Sequence, residues 1–186
     1  MVIVKRRNGV ASWIVNHTSA GTGFLLLENT VAYNSATTYW TTAPTSSLLP
    51  TLTSNSEVNG TSNTYVAYCF AQVAGYSAFG SYSGNGSSDG PFIFTGFRPR
   101  WVLIKVSSGG TGSWILYDTA RNTYNVSQNI LYPNLSNAEA TTTSANLDIL
   151  SNGFKLRTSN ADFNGSGFTY IYMAFAENPF KFSLAR

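Results

Sequence analysis

Ionisable side chains are scarce in this sequence of 186 residues: Asp, Glu, Lys and Arg make up 10%, with one histidine and one cysteine. A Ser/His/Asp triad or a histidine-based metal centre would have only His17 to draw on, and no cysteine or acidic pair stands near it at ligand spacing. A Gly-x-Ser-x-Gly nucleophile elbow is also missing. We therefore expect no enzyme activity, no metal and no cofactor. The lone cysteine, Cys69, has no partner for an internal disulfide. Its apolar stretch Tyr65-Val66-Ala67-Tyr68-Cys69-Phe70-Ala71 predicts a buried thiol that acts as a small hydrophobe.

No apolar run approaches the roughly 18 to 20 residues of a membrane-spanning helix. In Met1-Val2-Ile3-Val4-Lys5-Arg6-Arg7 the charge follows the short apolar run, the reverse of a signal peptide. A soluble, uncleaved chain without membrane insertion is the expectation. The formal net charge is +3, but only Lys5-Arg6-Arg7 forms a basic run, which reads as a solvated strand end. Nucleic acid is not an expected partner.

What is abundant is uncharged polar and aromatic surface: 23 Ser, 21 Thr and 18 Asn, with 16 Gly and 15% aromatic residues. Apolar runs of four to eight residues, rich in Val, Ile, Tyr, Phe and Trp, recur between clusters of Gly, Ser, Asn and Thr. They predict strands over 2–6, 12–16, 24–27, 47–52, 64–73, 79–83, 91–95, 100–106, 113–117, 130–132, 147–150, 154–157 and 168–176. No convincing helix is present, although Ala138-Glu139-Ala140 could form a single turn. Many short strands with a turn about every ten residues argue for an all-β antiparallel sandwich of jelly-roll type.

The sequence also repeats itself. Val2-Ile3-Val4-Lys5 matches Val102-Leu103-Ile104-Lys105, and Ser12-Trp13-Ile14-Val15 matches Ser113-Trp114-Ile115-Leu116. Further on, Thr53-Ser54-Asn55 matches Thr158-Ser159-Asn160, Asn59-Gly60 matches Asn164-Gly165, Thr64-Tyr65-Val66 matches Thr169-Tyr170-Ile171, and Phe70-Ala71 matches Phe175-Ala176. The expected organisation is two related antiparallel β-sandwich units in tandem, residues 1–75 and 76–186. The first lacks the opening strands that residues 79–100 supply to the second. Such a unit leaves backbone groups unpaired at a sheet edge. Either a neighbouring unit or chain completes it, or the segment 37–49 covers the edge. On the last strand of each unit both faces read as dry: Val66, Tyr68 and Phe70 on one, Tyr65, Ala67, Cys69 and Ala71 on the other.

Two constellations could bind a ligand. Gly84-Asn85-Gly86-Ser87-Ser88-Asp89-Gly90 precedes a strand and lacks the lysine of a phosphate loop, so it reads as tight turns, with a cation on Asn85 and Asp89 as the alternative. Tyr33, Tyr39, Trp40, Tyr124 and Tyr132 are candidates for a glycan platform, since a ring face stacks on a pyranose. Against this, Trp13 and Trp114 occupy matched positions and read as core, and Trp40 reads as an edge cover.

Phe97-Arg98-Pro99-Arg100-Trp101-Val102-Leu103-Ile104-Lys105, then Trp114-Ile115-Leu116-Tyr117-Asp118-Thr119-Ala120-Arg121, Asn152-Gly153-Phe154 and Tyr170-Ile171-Tyr172-Met173-Ala174-Phe175-Ala176-Glu177 carry a family resemblance. The pattern resembles an uncharacterised repeat in tail-fibre-like and other virion proteins of marine and cyanobacterial tailed phages. The second unit follows it throughout. In the first, His17 stands in place of the aspartate and no arginine follows. The resemblance implies a virion location and a structural or host-contacting role. Its partners would be copies of the chain, a trimer by analogy with phage fibres, together with other virion proteins. A lectin-like module for host-surface glycans is the alternative. The resemblance names no catalytic residue, and it makes Asp118 and Arg121 a structural ion pair.

Overall fold

Alternating apolar and polar residues in short β-branched and aromatic runs give strands that pair antiparallel throughout. A computed structural model describes residues 1–45 and 48–179. Its first four strands are β1 (Val2–Arg6), β2 (Trp13–Asn16), β3 (Leu25–Leu26) and β4 (Tyr65–Cys69), which form a sheet ordered β3-β2-β1-β4. Next come β5 (Ser77–Ser83), β6 (Phe92–Phe94), β7 (Pro99–Ser108), β8 (Ile115–Asp118), β9 (Asn129–Ile130), β10 (Ala140–Thr141), β11 (Leu147–Leu150) and β12 (Gly153–Leu156). The one-turn helix α1 (Ala161–Asn164) and β13 (Thr169–Ala176) follow. These build a second large sheet, β5-β13-β7-β8, a three-stranded sheet, β11-β12-β6, and the ribbon β10-β9.

The duplication read from the sequence is reproduced in the pairing register. Val2 faces Cys69 and Asn16 across β1, and the matched Val102 faces Ala174 and Tyr117 across β7. Ile3 faces Tyr68 and Val15, as Leu103 faces Met173 and Leu116. The loop before the last strand is also built twice. Asn55 Oδ1 accepts from the Glu57 N–H and Asn160 Oδ1 from the Asp162 N–H. The Gly60 N–H donates to the Tyr65 hydroxyl, and the Gly165 N–H to the Tyr170 hydroxyl, each at 2.7 Å. Each tyrosine then donates back to the loop, at the Ser56 and Ala161 carbonyls. These are local Asx and tyrosine clasps that satisfy turn backbone which has no sheet partner.

The layers stack into one continuous body. Ile3, Val15 and Leu25 of the first sheet pack against Phe79, Leu103, Ile171 and Met173 of the second, with Trp114 beside them. The other face of the second sheet buries Val102, Ile104, Tyr170 and Tyr172 against Ile149, Phe154 and Leu156 of the three-stranded sheet. The other face of the first sheet, Val2, Val4 and Ile14, is covered by Trp40 and Val58 from the loop between β3 and β4. The second unit is thus a sandwich in its own right, whereas the first is a sheet roofed by irregular chain.

Several expectations are corrected. Cys69 is exposed, not buried, and β4 is not dry: its last three residues are all exposed. The equivalent β13 is buried along most of its length, because β5 and β7 flank it. In the first sheet β4 is an edge. Ala138-Glu139-Ala140 does not form a helical turn; Ala140 begins β10, paired with Ile130. The strand expected over 47–52 reduces, among the described residues, to a bridge between Leu52 and Trp40. Ser47 lies outside those residues, as do residues 180–186 of the second unit.

Candidate functional site

The edge of β4 is the most distinctive exposed feature. The Phe70 N–H donates to the Met1 carbonyl at 2.9 Å and the Arg7 N–H to the Thr64 carbonyl at 2.8 Å. By antiparallel alternation, Val66 and Tyr68 direct their backbone groups to β1, whereas Tyr65, Ala67 and Cys69 turn theirs outward. Among the described residues nothing pairs with that outward row. In the second unit the matched row, Tyr170, Tyr172 and Ala174, is satisfied by Tyr82, Gly80 and Ala78 of β5. No charge, proline or bulge protects β4. Tyr68 is 46% exposed and stacks on Trp13 at 6.3 Å. Cys69 and Phe70 also line an open cavity of about 170 Å³ with Pro44, Leu48 and Leu49. Pro44, Leu48 and Leu49 of the segment 37–49 therefore flank this end of the sheet, and none of the segment's described residues pairs to the edge.

The five aromatic candidates are not brought together. Trp40 is fully buried, its Nε1–H donating to the Gly23 carbonyl at 3.1 Å. Tyr33 accepts the Gly23 N–H at 2.6 Å and packs on the core between the two large sheets. Tyr39 sits edge-on to Phe24 and donates to Glu57 at 2.9 Å. Burial and that carboxylate raise its phenol to about 12. Tyr132 packs against the core of the second unit. Only Tyr124, 84% exposed, offers an open ring.

Asp118 closes the turn after β8. Its Oδ1 accepts the Ala120 and Arg121 N–H groups, and its Oδ2 meets Arg121 Nε at 2.6 Å. Burial pushes this carboxyl up, but the bonds from Arg121 and Ala120 outweigh it and hold it below its ordinary value. Arg121 also reaches Glu139 at 3.1 Å and the Leu116 carbonyl. His17 does the same work in the first unit, its Nδ1 accepting the Ser19 N–H at 3.2 Å. Its Nε2 lies 3.1 Å from the Tyr172 carbonyl of the other unit. Burial lowers its pKa to about 4.

Lys105, fully buried, donates to the Thr30 and Val106 carbonyls, each at 3.1 Å. Burial brings it down to about 8 against the pull of Asp162. The glycine-rich loop is pinned by the buried Asn164, whose Nδ2 donates to Asn85 Oδ1 and the Ser87 carbonyl. Asp89 is held by Lys155 at 2.9 Å and Arg157 at 3.4 Å. These contacts account for the loop without a cation. Among the described residues no cluster of His, Cys, Asp and Glu could hold a metal ion. Nor, among them, is any helix long and apolar enough to cross a membrane.

Sequence reasoning foresaw an open edge but could not identify Ala67 and Cys69 as its exposed part, because period-two alternation names the faces of a strand and not its neighbours. The buried links through His17 and Lys105 had no sequence signal beyond the repeat itself.

The fold and its surfaces define an all-β protein of stacked antiparallel sheets built from a duplicated unit. A family model described as a domain of unknown function, DUF7483, matches residues 1–179, and the chain belongs to that family. The match spans both repeats. No curated protein and no solved structure matches the chain.

Proposed function

We propose that this chain is a non-enzymatic structural module that works by self-association and attachment, with the virion of a tailed phage as its setting. The observation that carries the reading is the uncharged edge of β4, whose outward backbone row has no partner among the described residues although the matched row of β13 is paired. Natural proteins commonly blunt edge strands with charges, prolines or bulges, and β4 carries none of the three. The virion setting rests on the motif resemblance of the second repeat. The partners are further copies of the chain and other surface, fibre or tail-appendage proteins.

Light scattering on the purified chain, with negative-stain images of the same peak, tests the proposal. A defined oligomer is the expected result, and a single copy at every concentration refutes it. A second reading, a lectin-like glycan contact, is favoured only by the open ring of Tyr124. A glycan array in which Tyr124→Ala abolishes a specific signal would establish it, and an array without signal would remove it.

A further inference from the structure

We infer that the β4 edge is completed by the β4 edge of a second copy, antiparallel about a two-fold axis through Ala67. The inference rests on the self-association reading and specifies its contact. The repeat itself supplies the template, since the same backbone row in β13 is filled by an antiparallel strand over Ser77–Ser83. β5 is uncharged, and β4 offers a mate of the same kind, five uncharged residues that mix small and aromatic side chains.

Symmetry then fixes the register. The outward residues Tyr65, Ala67 and Cys69 are spaced evenly about Ala67, so Ala67 meets its own copy and Tyr65 meets Cys69 of the other chain as hydrogen-bonded pairs. Val66 falls opposite Tyr68 at the closer, non-hydrogen-bonded positions, a β-branched and aromatic pair of the kind that stabilises antiparallel sheets. The axis is uncrowded. In β13 the residue matched to Ala67 is Tyr172, whose ring leaves room only for a glycine across from it: a Cβ on Gly80 would lie 2.8 Å from that ring. Ala67 is exposed and carries no such ring. Leu48, 69% exposed, and Leu49, 61% exposed, border the same end of β4 and would lie along the seam. The product is a continuous sheet of eight strands, and it predicts a dimer in place of the trimer expected by analogy.

Ala67→Pro is the direct probe. It removes only an outward N–H, because the ladder to β1 runs through Val66 and Tyr68, and proline is tolerated on a sheet edge. Light scattering should report two copies of the unmodified chain. Ala67→Pro should raise the dimerisation midpoint by about tenfold or more, since one bond is lost from each copy. Ala67→Lys serves if the proline variant melts early. Ser81→Lys, on the far edge of β5, should leave the dimer intact. With Cys69→Ser as background, Val66→Cys and Tyr68→Cys together should give an oxidised covalent dimer, and neither alone should. An oligomer that survives Ala67→Pro and Ala67→Lys, or that dissociates with Ser81→Lys, overturns the pairing while self-association stands. A strict monomer overturns both.

Discussion

Acidification should loosen the join between the two repeats, and His17 is the reason. Its side chain is 1% exposed, and both ring nitrogens are used. Nδ1 must be unprotonated to accept the Ser19 N–H, so the proton sits on Nε2 and is donated to the Tyr172 carbonyl. A second proton would set two N–H groups against each other at 3.2 Å in a buried site. The folded pKa is about 4 against an ordinary 6.5. Between these values the unfolded chain binds the extra proton and the folded chain does not. Stability is therefore full above about pH 6.5 and falls as the pH drops toward about 4. At about pH 5 the loss amounts to about 2 kcal/mol, from about 1.4 kcal/mol per pH unit of separation. Urea unfolding followed by the fluorescence of the buried Trp40 and Trp114 measures it at about pH 7.5 and about pH 5. His17→Gln keeps a donor for the carbonyl and has no titration, so its curve should lose less. Parallel losses in the two proteins would refute the assignment to His17.

Asp118→Ala deprives two turn N–H groups and Arg121 of their acceptor. With Glu139 still on Arg121, the cost should be about 2 kcal/mol, or about 4 to 8 °C in Tm by calorimetry, and an unchanged melt would refute the structural role of the pair. Tyr170→Phe leaves the buried Gly165 N–H without an acceptor and should cost about 1 to 3 kcal/mol. Tyr65→Phe, at the more exposed copy of the clasp, should cost less, and the reverse order in denaturant melts would refute the burial argument. Lys105, held near 8 when folded, binds its proton less tightly than the unfolded chain does up to about 10.4, so stability should rise with pH across that window. Lys105→Met should abolish the rise in pH-dependent unfolding, and a rise that persists would point to another group.

Strands that are either central or fully self-contained were plain in the sequence. Val2–Arg6 and Leu147–Leu150 fall where alternation and turn residues put them, and the repeat offsets anticipate the pairing register to the residue. Chain properties that depend on a neighbour were not legible. Cys69 and Ala174 occupy one position in the repeat and have similar surroundings in sequence, yet one is exposed and the other buried, because only the second has a strand on its far side. Trp40 and Tyr124 look alike as loop aromatics. One drops onto the face of a sheet that lacks a second layer, and the other stands open to solvent.

The two large sheets meet through matched positions: Ile3 and Leu103, Trp13 and Trp114, Phe70 and Phe175 all belong to the core they share. A patch that meets its own equivalent is how the halves of a symmetric homodimer recognise each other. Here the halves are tethered on one chain, so their encounter is set by the length of the linker and not by how much protein is present. Dilution that would dissolve a pair of separate subunits leaves this contact intact, and the molecule carries its first dimerisation into any assembly already accomplished.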